Sequence, residues 1–343
     1  MQEVKKRKST GQITLSDVAK LAGVGTMTVS RALRNPEQVS EKLRKKIEQA
    51  VNTLGYRPNL AASVLASATK NNLIVIISSK NDDKTTKILL DALQKELINN
   101  GYTVLQIEAH NYQDNEEQLL ESIYSYNLAA IVLFCIEQNN KLQQAIAHKN
   151  VPIINIGADQ KAQININIGI DNMLAMYQLT EYVIKKGYRH IGLLCANQEN
   201  SIFKERLHGW HKAMLDNHLP THRVINAAKE ASFTTGSELL SEFLLNWSEL
   251  DALICTTDEL ACGVLYECQR RHIRVPYQLA VAGIGDNEFS QVCNPPLTTI
   301  ALPYAQMVKE ATNSLMQQLE PEKERTMPDP NQAKAVLKIR QSV

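Results

Sequence analysis

The sequence predicts an N-terminal all-α helix-turn-helix head with a hinge helix, followed by an α/β body of two doubly wound parallel-sheet lobes. The first observation is charge. The first seventy residues carry 13 Lys/Arg against 5 Asp/Glu, a balance of +8. The whole chain of 343 residues has 37 against 36, which leaves 24 against 31, or −7, for the rest. The second is a pair of short helical patterns broken by glycine between Ile13 and Ser40. The third is the alternation of short apolar runs with helical patterns from residue 71 onward. The boundaries that follow are a basic tail over 1–12, a head over 13–57, a hinge over 58–70 and a body over 71–340. A cationic head on an anionic body points the head at a polyanion, and DNA is the usual one.

The bulk composition excludes several classes. With 44% hydrophobic and 21% charged residues, the chain reads as an ordinary globular protein. Apolar runs such as Leu73–Ile77 fall far short of the roughly 20 residues needed to span a bilayer. The segment MQEVKKRKST has basic residues without a following apolar stretch, so it does not read as a secretory signal, and a cytoplasmic location is expected. The cysteines at 135, 195, 255, 262, 268 and 293 form no C-x-x-C pair, and Cys135, Cys195 and Cys255 lie in apolar runs as small hydrophobes. No G-x-S-x-G or G-x-x-x-x-G-K-[ST] motif occurs, and the eight histidines are scattered. No enzyme, metal or cofactor is expected.

In the head, Ser16 is placed to cap a helix beginning at Asp17, with Val18, Ala19 and Leu21 as its apolar positions. Gly23 supplies positive φ for a tight turn. A second helix from Gly25 or Thr26 to Leu33 buries Val29 and Leu33, leaving Thr26, Met27, Ser30, Arg31 and Arg34 outward. Such a helix fits a major-groove reader. Arg31 has the fork to grip a guanine or a phosphate, Thr26 and Met27 suit base edges and thymine methyls, and Thr28 and Ser30 suit phosphates or backbone caps. The G-x-G of GVGTMT fails as a dinucleotide fingerprint, because no strand precedes it and Thr28 stands where the third glycine belongs. Asn35-Pro36 ends the helix, and Ser40 starts a third with the stripe Leu43, Ile47, Val51 and Leu54. After Tyr56-Arg57-Pro58-Asn59, the stretch LAASVLASATKNN predicts an alanine-rich helix too short to be stable alone, which suits a switch.

The body predicts strands over 73–79, 102–109, 129–135, 151–157, 190–196, 251–257 and 279–285. Helices are predicted near 84–99, 115–126, after Cys135, from Asn172 to Lys186, over 204–217, near 235–247 and up to Arg271. Parallel sheets covered on both faces follow, with a ligand crevice at the strand C-terminal ends. The polar residues there are Ser78, Ser79, Asn81, Asp171, Asn172, Thr257 and Asp258, with Asp286 after a glycine turn at 283–285. Asp171, Asn172 and Asp258 are equally placed to cap helices.

The head and hinge, with DVA, AGV, TVSR, VS, LGY, PN and an A-x-x-L-A hinge in order, resemble the LacI/GalR family of bacterial transcription regulators. The resemblance continues through KKGYRHIGLL, ERLHGW, DALICTTDELACGVL and NPPLTTI, and MTVSR-x-LRNPEQVS and YECQR followed by VP are most similar to the gluconate-utilisation repressors. It implies a body like that of periplasmic sugar-binding proteins. The candidate DNA contacts are then Thr14, Ser16, Gly25, Thr26, Met27, Thr28, Ser30, Arg31, Asn35, Tyr56, Asn59, Ala62 and Leu65, with Leu65 wedging a central base step in the minor groove. The resemblance places an effector-binding arginine at Arg206, with Lys204 beside it. The chain departs from the family pattern at Lys84-Thr85-Thr86, where an aromatic residue is frequent, and at Thr257, where asparagine is. It also carries Gly285 where a sugar-gripping aspartate is frequent, which moves any carboxylate role to Asp286.

Arg206 and Lys204 without that aspartate favour an anionic ligand, a sugar acid such as gluconate or a phosphorylated one. The expected protein is a homodimeric repressor of near-palindromic operator DNA that the effector releases. An activator or dual regulator responding to a neutral sugar shares the architecture, and a stand-alone sugar-binding protein would lack the head.

Overall fold

The structure, a computed structural model, describes residues 13–34, 36–56, 72–78, 84–109, 116–134, 146, 151–157, 166–196, 201–323 and 334–343. It divides at Asn71/Asn72 into two compact units. The expected basic tail, the hinge helix and most of the helix expected after Cys135 lie outside the described residues.

The first unit holds α1 (Leu15–Ala22), α2 (Thr26–Arg34), a single 3-10 turn (Pro36–Gln38) and α3 (Glu41–Leu54). Helix α1 starts two residues before the predicted Asp17, and its N-cap is Thr14, not Ser16. The reason is a capping box: Asp17 is the third helical residue, and its Oδ2 accepts from Thr14 N–H at 2.9 Å and Thr14 Oγ1–H at 2.7 Å. The Thr14 hydroxyl, then its N–H, hold the Asp17 carboxyl below the usual range. At the other end Gly23 takes φ +65°, and Val24 N–H reaches back to Ala19 O at 3.0 Å. The same left-handed stop closes α3, where Gly55 has φ +64° and Tyr56 N–H bonds Val51 O at 3.0 Å. Val18, Ala19, Ala22, Val29, Ala32, Ile47 and Ala50 form one buried core, with Leu33, Val51, Leu54 and Tyr56 packed against it.

The second unit contains two lobes. Lobe 1 has β1 (Leu73–Ser78), α4 (Lys84–Asn99), β2 (Thr103–Glu108), α5 (Glu116–Tyr124), β3 (Leu128–Phe134), β4 (Ile153–Ile156) and β5 (Ile166–Ile168). Its parallel sheet has the order β2-β1-β3-β4-β5. Lobe 2 opens with α6 (Asn172–Lys185), β6 (Ile191–Ala196), α7 (Ser201–Asp216), β7 (Val224–Ala227) and α8 (Phe233–Asn246). It continues with β8 (Ala252–Cys255), α9 (Asp258–Arg270), β9 (Ala280–Gly285), α10 (Glu288–Val292) and β10 (Thr298–Ala301). Helix α11 (Tyr304–Leu319) and β11 (Val336–Lys338) complete the chain. The order β11-β10-β9-β8-β6-β7 is parallel except for β11, which runs antiparallel to β10.

Strand alternation builds the cores. Ile74 and Ile76 of β1 face α4, while Leu73, Val75 and Ile77 face α5. The wholly apolar run is therefore buried on both sides. In lobe 2, Leu194, Leu253, Cys255 and Val281 face α8 and α9, and Ile191, Leu193, Cys195 and Ile254 face α6 and α7.

Six elements escaped the sequence reading: β5, β7, β10, β11, α10 and α11. Helix α11 also corrects the order of the lobes, since its Met307, Val308, Ala311, Leu315 and Met316 complete the core of lobe 1. The chain thus crosses between lobes three times. Ile170, in the first crossing, and Tyr304, in the second, pack against the cores of both lobes. The body also runs past the expected boundary at 340, because Ser342 is fully buried between Val281 and Thr298.

Gly283 and Gly285 correct a further expectation. They end β9 instead of forming a turn, and an ideal Cβ on Gly283 would stand 2.4 Å from Asp258 Oδ1. The strand backbone needs glycine there because a buried carboxylate lies against it.

Candidate functional site

Both lobes share the 2-1-3-4-5 order of one common doubly wound fold, whose ligand crevice opens where the strand order reverses. In lobe 1 that point lies between β1 and β3, at Ser78. In lobe 2 it lies between β6 and β8, beside Thr256 and Thr257.

Arg206 sits at the lobe 2 point. It is 6% exposed, and its guanidinium is fixed from two sides. Nε donates to Asn172 Oδ1 at 3.1 Å, and Nη1 donates to the Thr256 carbonyl at 2.5 Å. The Phe203 ring, one turn earlier on α7, stands 5.8 Å from the guanidinium carbon. Its orientation is thus set by the protein. Thr256 is itself fully buried, and its hydroxyl has no partner among the described residues. Sequence reasoning passed over Thr256 for its neighbour, although the run Cys255-Thr256-Thr257 ends the strand in two hydroxyls. Burial pushes the thiol of nearby Cys195 up to about 12, with the Arg206 charge opposing the shift. That thiol is no nucleophile at neutral pH.

The other candidates have separate surroundings. Ser78 is buried, and its hydroxyl accepts from Gln106 Nε2 at 3.3 Å. Ser79 and Asn81 lie outside the described residues. Asp171 caps α6 through Leu174 N–H at 2.7 Å, and Thr257 caps α9 through Leu260 N–H at 3.4 Å. Lys204 is exposed while Arg206 is buried. Two positions apart on a helix they lie on opposite faces, so the structure does not bring them together. Asp171 also borders a cavity of about 340 Å³ at the interlobe crossings, shared with Asn167, Gln178, Glu310 and Lys334. None of Ser78, Arg206, Thr257, Asp258 or Asp286 lines it.

Asp258 braces lobe 2. It is fully buried, accepting from Ser290 Oγ and Thr299 Oγ1 at 2.6 Å each and from Asn287 N–H at 3.2 Å. Burial raises its pKa, and those hydrogen bonds oppose the rise. Asp286 takes a left-handed φ of +56°, and its carboxylate pairs with Arg340. Both candidate carboxylates of lobe 2 are thus engaged within the protein. Asp258→Asn leaves one acceptor oxygen where two served three donors, and it is expected to destabilise lobe 2 by about 1–2 kcal/mol. Urea denaturation followed by the two tryptophans, Trp210 and Trp247, measures this directly, because both lie in lobe 2.

In the head, Thr14, Ser16, Gly25, Thr26, Met27 and Arg31 are exposed, and Thr28 and Ser30 are half-buried. Met27 is 76% exposed, an apolar tip on the outer face of α2. Tyr56 packs against the head core, so its ring serves the fold. Asn35, Asn59, Ala62 and Leu65 lie outside the described residues.

His218 and His222 stand four apart, but they lie in the loop after α7, and no group of three metal-ligating side chains occurs among the described residues. The five described cysteines are free and buried. No described helix is long and apolar enough to cross a membrane.

Residues 14–59 match the family described as bacterial regulatory proteins, lacI family, and residues 180–343 match the periplasmic binding protein-like domain. The HTH-type transcriptional regulator GntR of Escherichia coli (strain K12) is 33% identical over 294 residues, covering 85% of this chain and 88% of that protein. The HTH-type transcriptional repressor CytR of the same strain is 26% identical over 326 residues, covering 92% of this chain and 93% of that one. Among solved structures, a PurR family transcriptional regulator from Vibrio parahaemolyticus RIMD 2210633 aligns with a TM-score of 0.71 at 28% identity, over 78% of this chain and 98% of that one. The lac repressor dimer bound to operator and the anti-inducer ONPF has the same fold, with a TM-score of 0.80 at 22% identity, over 96% of this chain and 99% of that one. With a helix-turn-helix unit joined to a two-lobed sugar-binding-type body, the chain belongs to the LacI family of bacterial DNA-binding transcription regulators.

Proposed function

We propose that the chain is a cytoplasmic homodimeric repressor whose operator affinity falls when a sugar acid, gluconate or a phosphorylated relative, binds between the lobes of its body. The observation that carries this reading is the buried Arg206 guanidinium at the lobe 2 switch point, held by Asn172 and the Thr256 carbonyl. An anion meets a fixed cation there, and the two candidate carboxylates of lobe 2, Asp258 and Asp286, are engaged by Ser290, Thr299 and Arg340. The resemblance of MTVSR-x-LRNPEQVS and of YECQR followed by VP to the gluconate-utilisation repressors supports the same ligand class. Arg206, Thr257 and Ser78 are the proposed ligand contacts, joined by Ser79 and Asn81. Asp171, Asp258 and Asp286 are assigned supporting positions around the cleft, and Lys204, on the opposite face of α7, is assigned none.

The head over 13–57 reads one half-site through Thr26, Met27 and Arg31, positioned by phosphate contacts from Thr14, Ser16, Gly25, Thr28 and Ser30. The segment 58–70, with Asn59, Ala62 and Leu65, joins it to the body over 71–343 and enters the minor groove. Tyr56 closes the reading unit, and Asn35 is a further proposed DNA contact.

Titration calorimetry of the full chain with gluconate, 6-phosphogluconate and glucose tests the ligand class. Tighter binding of either acid is expected, and far tighter binding of glucose overturns it. The head makes its own prediction. Arg31→Ala is expected to cost about 1–3 kcal/mol on the preferred site and to relax preference at one base pair. Lys45, exposed beside Glu41 at 2.9 Å on α3, behaves differently. Lys45→Ala is expected to weaken all duplexes alike and to reduce the salt slope by about one. Binding to a panel of single-base variants at several salt concentrations separates the two.

A further inference from the structure

A buried side chain links Arg206 to the first crossing between lobes. Asn172 is the first residue of α6 and is 3% exposed. Its Oδ1 accepts from Arg206 Nε at 3.1 Å, and its Nδ2 donates to the Ile170 carbonyl at 3.3 Å. The same carbonyl accepts Asn172 N–H at 2.9 Å. Ile170 in turn packs against the cores of both lobes. A carboxamide has one acceptor and one donor end, so its orientation is set when both ends are used. Turning or shifting the guanidinium therefore turns the amide, and the amide pulls on the carbonyl of the residue seated between the two cores.

Resting on the sugar-acid reading for its ligand, we propose that Asn172 is the positioning residue that couples the Arg206 site to the interlobe crossing at Ile170. Asp171, its neighbour, only caps the helix and faces the cavity. Asn172 needs no contact with ligand to act. It fixes the guanidinium before binding and passes its displacement to the crossing afterwards, so it sets the extent of the response as well as affinity.

Two measurements on the full chain decide this. The first needs no ligand: hydrogen exchange of peptides spanning 166–175 in the wild type, Asn172→Ala, Arg206→Ala and the double variant. Each single change is expected to speed exchange at the crossing about tenfold, and the double to add nothing further. Unchanged exchange in Arg206→Ala, or additive effects in the double, overturns the proposal. Where Asn172→Ala loses protection throughout lobe 2, Asn172→Asp replaces it. That variant keeps the size and the acceptor for Arg206 but lacks the donor to Ile170, and it is expected to speed exchange at the crossing with β8 still protected.

The second is operator affinity with and without saturating gluconate or 6-phosphogluconate. A wild-type change within the usual range of about 5–150-fold is expected to shrink below about threefold in Asn172→Ala. A merely structural asparagine lowers the melting temperature and leaves that ratio intact at saturation, and this result overturns the coupling. If the wild type ignores both acids, the ligand reading fails alone, and the exchange measurement still decides the link.

Discussion

Arg206→Ala is expected to weaken sugar-acid binding about 10–100-fold and to leave operator DNA bound at ligand concentrations that release it from the wild type. The magnitude follows from removing a charged hydrogen-bond donor in a buried site, worth about 1.5–3 kcal/mol. It also follows from geometry, since no neighbour on α7 can substitute: Lys204 lies on the opposite, exposed face. Arg206→Lys is expected to recover little of the loss. An ammonium has no planar fork to satisfy Asn172, the Thr256 carbonyl and an anion together. Calorimetry of both variants against 6-phosphogluconate reads the effect, and an affinity within twofold of wild type contradicts it.

The largest effect on stability is expected from Gly263→Ala, with Gly236→Ala close behind. Helices α8 and α9 touch backbone to backbone. An ideal Cβ on Gly263 would lie 2.1 Å from Phe233 O, and one on Gly236 would lie 2.1 Å from Leu260 O. Neither oxygen belongs to a side chain that can rotate away, so one helix must move against a core holding Leu240, Phe243, Leu260 and Val264. Overpacking costs about 1–3 kcal/mol, and a clash with main-chain oxygen puts these substitutions at the upper end of that range. Urea denaturation followed by tryptophan fluorescence gives the value, and a loss below about 0.5 kcal/mol contradicts the packing.

The parts legible in the sequence were those whose signal is local and strong. The Gly23 turn, the Val29 and Ile47 faces and the wholly apolar run Leu73–Ile77 each follow from spacing that one element carries by itself. What escaped has a non-local cause. Strands β5, β7 and β10 have three or four residues each and take their register from neighbours already in the sheet. Helix α11 has a regular stripe, Met307, Ala311 and Leu315, but nothing in it says that the stripe belongs to lobe 1. The start of α1 was displaced because Asp17, read as a first helical residue, acts as the third and draws the cap to Thr14.

The site was legible as a set of strand ends and one arginine, but not as a constellation. Asp258 and Asp286 follow strands, as ligand carboxylates often do. Only the fold reveals that Ser290 and Thr299 hold the first and Arg340 the second, from residues 32, 41 and 54 positions away. Arg206 and Asn172 are likewise 34 positions apart, so their bond has no periodicity to announce it. The missing carboxylate at Gly285 has a physical reason as well. A side chain there would meet Asn287 Nδ2 at 3.0 Å and Asp258 Oδ2 at 3.3 Å, at a φ of +146°.

The central claim is that a sugar acid seated on Arg206 in the body controls what the head does on DNA. Fluorescence anisotropy of the full chain on a labelled duplex of its own upstream DNA, titrated with gluconate, 6-phosphogluconate or glucose, tests it most directly. One of the acids is expected to lower operator affinity within the range of about 5–150-fold, with glucose inert and Arg206→Ala unresponsive. Affinity unchanged by both acids, or release by glucose in the Arg206→Ala variant, contradicts the claim.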